Sequence, residues 1–125
     1  MARLSDEFLT WVEHACDRVV AVAEALDEAG VPRRISDQVL ASGASIGANA
    51  FEADEAMSRK DFVKCLCIAV KECNETRFWL RLIGRHQWIR ACRLGELESE
   101  VVEIKNVMGA MIANTIRSQP RPRSI

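Results

Sequence analysis

Apolar residues recur along this chain at alternating spacings of three and four, the interval that lays one stripe down a helix. Phe8, Val12, Ala15, Val19, Val22 and Leu26 make the first stripe, and Ser5 followed by Asp6 and Glu7 reads as its start. Gly30 supplies a left-handed stop and Pro32 cannot continue the helix, so the pattern predicts a helix over 6–29 and a short turn into an antiparallel neighbour. The second segment, 34–57, carries Ile35, Val39, Ile46 and Ala50 on one face and is crowded by Ser42, Gly43, Ala44, Ser45, Gly47 and Ala48. A glycine inside a helix costs about 1 kcal/mol relative to alanine, so Gly43 and Gly47 are expected where a neighbouring helix comes close.

Ser58 with Asp61 three residues on resembles a capping arrangement, and opens a third stripe of Phe62, Leu66, Ala69, Cys73, Thr76, Leu80 and Ile83. Gly84 stands where a helix-ending glycine belongs, and 85–88 reads as a connection. Arg90 then starts a fourth helix with Leu94, Leu97, Val101, Ile104, Met108, Met111 and Thr115 in register, weakened early by Gly95. Four amphipathic segments with short connections predict an all-α, antiparallel up-down-up-down four-helix bundle over 1–117. The proline-broken segment 118–125 is expected to be a mobile tail.

Composition agrees. Hydrophobic residues make up 49% of 125 positions, aromatic residues only 6%, and Tyr is absent, whereas strands draw on Tyr, Thr and Phe. The start of the chain is acidic where a secretory signal needs an apolar run, and no apolar stretch is of membrane-spanning length. A cytoplasmic protein with no membrane partner is expected. Cys16, Cys65, Cys67, Cys73 and Cys92 fall within helical patterns, which suits reduced thiols. A net charge of -1 argues against a protein that coats nucleic acid non-specifically, so any anion-binding surface must be local.

The glycines of 42–49 invite comparison with a phosphate-cradling loop, but the Lys-Ser/Thr pair and the preceding strand are missing. Ser42, Gly43, Gly47 and Asn49 are therefore read as helix-packing or interface residues. Glu52, Asp54, Glu55, Glu72, Glu75, Glu100 and Glu103 lack the paired Glu-x-x-His motifs of a bundle-core metal site. His14 and His86 have no ligand-spaced partner, and Cys65 and Cys67 point to different sides of a helix. No Ser, Cys or Thr stands beside a base held by a third group. No metal, no cofactor, no small-molecule substrate and no catalysis are expected.

Charge on the third helix is segregated. At about 100° per residue, Lys60, Lys64, Lys71, Arg77, Arg81 and Arg85 share one outer arc without an acidic residue, together with Val63, Val70 and Phe78. Asp61, Glu72 and Glu75 fall on one flank with Ile68 and Trp79. A solvated helix of mixed sign would interleave these charges, so the pattern suggests two surfaces; an ordinary solvated face is the alternative. Ile68, Glu72, Glu75 and Trp79 are read as a subunit interface, and Glu96, Glu98, Glu100 and Glu103 of the fourth helix as facing a neighbour's basic arc.

Ser42-Gly43-Ala44-Ser45-Ile46-Gly47-Ala48-Asn49, Glu52-Ala53, Ser58-Arg59-Lys60-Asp61-Phe62, Ile68-Ala69-Val70-Lys71-Glu72 and Glu75-Thr76-Arg77-Phe78-Trp79-Leu80-Arg81-Leu82 resemble the 23S ribosomal RNA intervening-sequence protein family. The chain is also similar to the accessory proteins of diversity-generating retroelements, which share the bundle but are strongly basic. The resemblance implies a bacterial four-helix bundle that assembles as a ring-like homopentamer, with nucleic acid as the expected partner. Lys64, Lys71, Arg77, Arg81 and Arg85 would then contact phosphates. Two functions follow: an accessory protein for structured RNA, or a protein-interaction scaffold oligomer with no nucleic-acid partner.

Overall fold

The Ser5 hydroxyl accepts a hydrogen bond from Phe8 N at 3.0 Å, and the Ser58 hydroxyl accepts one from Asp61 N at 3.1 Å. These two caps, followed in the first turn by Asp6 and Glu7 and by Asp61 respectively, open the first and third helices. The computed structural model describes residues 4–118. Its elements are α1 (Asp6–Glu28), α2 (Arg33–Asp54), α3 (Arg59–Arg85) and α4 (Ala91–Arg117). The expected tail lies outside the described residues except for Ser118, whose N–H donates to Asn114 O and closes α4.

Bonds between helices give their sense. Leu4 N donates to Asp54 Oδ1 at 2.8 Å, and Ser36 Oγ donates to Asp27 Oδ1 at 2.6 Å, so the start of α1 meets the end of α2 and the reverse. Arg59 Nη1 donates to Ser118 O, which brings the start of α3 level with the end of α4. The described residues form an antiparallel four-helix bundle in which each helix packs on the next in sequence, while α1 meets α4 more sparsely.

The core follows the predicted stripes. On α3, Phe62, Leu66, Ala69, Cys73, Thr76, Leu80 and Ile83 are all buried. On α4 the stripe is buried from Leu94 to Met108 and half-buried at Met111 and Thr115. Thr76 is the polar member of the α3 stripe: its hydroxyl donates to Ser42 Oγ at 3.0 Å, and Ser42 donates in turn to Val39 O. Both groups are thus satisfied despite complete burial. Gly43 and Gly47 face α1, where an added Cβ would lie 2.4 Å from Val19 Cγ1 and 2.9 Å from Cys16 Sγ respectively. Their smallness sets the α1–α2 approach, and Cys16 Sγ donates across it to Gly43 O.

Two predicted boundaries shift. α2 stops at Asp54, short of 57, because Asp54 is tied back to Leu4 and Ser58 must be extended (φ -144, ψ 161) to cap α3. The intervening turn contains no glycine or proline to mark it. Gly84 does not end α3 either. An alanine there would bring its Cβ to 3.4 Å from Ala91 Cβ, so Gly84 serves the approach of α4, and the left-handed residue is Gln87 at φ 59.

Candidate nucleic-acid interface

The cationic arc predicted for α3 splits in two on the folded chain. Arg77 Nε lies 3.4 Å from Glu98 Oε1 and Arg81 Nη1 lies 3.9 Å from the same oxygen, so these two arginines face α4 of their own chain. Lys64, Lys71 and Arg85 are exposed, and no ion pair engages them among the described residues. Helical spacing puts Lys64 and Lys71 two turns apart on one line, with exposed Cys67 between them.

The fourth-helix carboxylates expected to face a neighbour are largely engaged within the chain. Glu98 holds Arg77 and Arg81, and Glu100 and Glu96 both meet Arg18 of α1, Glu96 at 4.0 Å. Arg18 escaped sequence reasoning because an interhelical pair leaves no spacing signal. Of the set, Glu103 is exposed and has no ion pair among the described residues.

The flank of Ile68, Glu72, Glu75 and Trp79 runs along the side of α3 that leads toward α2. Ile68 and Glu75 are exposed, while Glu72 and Trp79 are half-buried. Burial pushes the Glu72 carboxyl up, the like charge of Glu75 adds to it, and Lys71 opposes both. Trp79 stacks edge-on with exposed Phe78 at 5.3 Å, and its buried Nε1–H has no acceptor among the described residues. On α2 the predicted residues divide: Ser42, Gly43 and Gly47 are spent within the bundle, and Asn49 bonds back to Ser45.

The outer face of α2 was not anticipated as a surface. Leu40, Ala44, Ala48 and Phe51 recur there at helical spacing and are exposed, Phe51 to 45%. A helix apolar on both sides is the signal that reveals it, since one bundle core needs a single stripe.

Among the described residues no three His, Cys, Asp or Glu gather as metal ligands, and no helix is long and apolar enough to cross a membrane. Burial pushes the Cys73 thiol up to about 12, and raises Cys16 and Cys65 as well, while Cys67 and Cys92 are exposed.

The profile of the family described as 23S rRNA-intervening sequence protein matches residues 8–110. A crystal structure of a protein of unknown function from the S23 ribosomal protein family of Bacteroides thetaiotaomicron superposes with a TM-score of 0.80. That protein is 34% identical, and the match covers 84% of this chain and 97% of the other. None of the curated proteins compared matches the sequence.

Proposed function

This chain belongs to the 23S rRNA-intervening sequence protein family, and from that premise we propose that it is a non-catalytic, self-associating bundle that binds structured RNA as an accessory factor. The observation that carries this reading is the exposed line of Lys64, Lys71 and Arg85, which find no anionic partner among the described residues. A phosphate backbone supplies such partners, and each one bound releases counterions. Arg77 and Arg81 extend the line where Glu98 yields to a phosphate, because an exposed ion pair is worth only about 0–1 kcal/mol.

Self-association uses a different surface. Leu40 and Phe51 of α2, with Ile68 of α3, expose apolar side chains outside the core, Trp79 is half-buried at its edge, and aromatic anchors of this kind concentrate at interfaces. A ring-like homopentamer is the expected assembly. The second reading, a scaffold oligomer without nucleic acid, draws on the same apolar face and on the internal pairing of Arg77 and Arg81.

Charge reversal separates the two. Lys64→Glu combined with Lys71→Glu should weaken binding to ribosomal RNA fragments at least tenfold at low salt and flatten the salt dependence, with assembly unchanged. Equal binding by wild type and double variant, measured by fluorescence polarisation, would remove the arc from the account.

A further inference from the structure

The connection between α3 and α4 carries an aromatic stack. His86 and Trp88 lie ring on ring, centroids 4.9 Å apart and planes 19° from parallel. Trp88 is half-buried and packed against the core, whereas His86 is exposed. The stack is therefore rooted at one ring and open to solvent at the other. Gln87 between them takes a left-handed conformation at φ 59, and around it Trp88 N reaches back to Ile83 O and Gln87 N to Gly84 O. Glycine is the usual residue at such a turn, and a non-glycine held there is the kind of local strain that concentrates at functional sites.

Three arginines stand close to this stack along the chain. Arg85, Arg90 and Arg93 flank it in sequence, all exposed and none in an ion pair among the described residues. No acidic residue occurs between Glu75 and Glu96. Antiparallel packing also brings Arg33 and Arg34, at the start of α2, to the same end of the bundle.

From this juxtaposition we propose that the α3–α4 end binds an unpaired nucleotide of RNA, stacking its base on the open face of His86 and holding the adjoining phosphates with Arg85, Arg90 and Arg93. The inference rests on the RNA-binding reading above and adds a preference for unpaired over duplex RNA. Duplex RNA offers only phosphates and sugars to such a surface, because its bases are already stacked on one another. A base on an aromatic ring is sequence-tolerant, so the site takes any exposed base, as in a loop, bulge or strand end.

The test is fluorescence polarisation of a labelled single-stranded RNA and of the matching hairpin duplex at low salt. It compares wild type, His86→Ala, His86→Phe, Arg90→Glu with Arg93→Glu, and Lys64→Glu with Lys71→Glu. His86→Ala should weaken single-strand binding about tenfold and leave duplex binding within twofold, and His86→Phe should restore the single-strand affinity. The Arg90 and Arg93 pair should weaken both ligands and lower the salt slope. His86 is exposed, so unchanged helical circular dichroism is expected of its variants. Equal single-strand affinity in wild type and His86→Ala, with binding lost in the Lys64 and Lys71 variant, overturns the stacking site while leaving the arc intact. Failure of wild type to bind either RNA overturns the RNA-binding reading itself.

Discussion

Gly43 and Gly95 both stand inside helices, yet replacing them with alanine should have opposite effects. At Gly43 the new Cβ would lie 2.4 Å from Val19 Cγ1 and 2.8 Å from Val19 Cβ. Valine is stiff and short, so α1 itself must shift; overpacking of this kind costs about 1–3 kcal/mol, against a gain of about 1 kcal/mol in helix propensity. At Gly95 nothing lies within 4 Å, and only the propensity gain of about 1 kcal/mol operates. Urea titration should show Gly43→Ala less stable than wild type and Gly95→Ala more stable; a stable Gly43→Ala would mean the α1–α2 approach is looser than described. The sequence already marks Gly43 and Gly47 as contact positions, because two glycines amid small residues in a helix are otherwise unfavourable. Gly84 misleads for a related reason: a glycine near a helix end signals either a left-handed stop or a close approach, and sequence alone does not separate them.

Among the elements, α3 is the most legible. Its stripe of Phe62, Leu66, Ala69, Cys73, Thr76, Leu80 and Ile83 is the face it buries, since periodicity alone decides which side of a helix meets the core. What the helix does with its outer arc depends on the next helix. Glu98 lies 21 residues beyond Arg77, and no local spacing announces their pairing. That pairing keeps Arg77 and Arg81 against Glu98. Glu98→Gln should leave both arginines unpaired, strengthen RNA binding severalfold at low salt, and change stability by less than about 1 kcal/mol. An unchanged or weaker affinity in the same polarisation assay would show that these arginines do not reach the ligand. The end of α2 was harder to read than α3 because Asp54 stops it through a bond to Leu4, fifty residues away, with no glycine or proline nearby.

On the scale of the whole molecule, the net charge of -1 and the cationic surfaces are compatible because the charges are sorted by place. Glu96, Glu98 and Glu100 are spent on arginines within the chain, whereas Lys64, Lys71 and Arg85, with the arginines of the α3–α4 end, have no ion pair among the described residues. The apolar outer face of α2 lies on another side of the bundle, and the proposed self-association has its own surface there. Binding and assembly should therefore respond differently to salt: phosphate contacts weaken steeply, and an apolar interface persists. Light-scattering mass of the purified protein, alone and with ribosomal RNA fragments at low and moderate salt, tests this most directly. The expected result is a mass several times that of the 14.0 kDa chain at both salts, rising further with RNA only at low salt. A monomer at both salts, or an oligomer whose mass never changes with RNA, would contradict it.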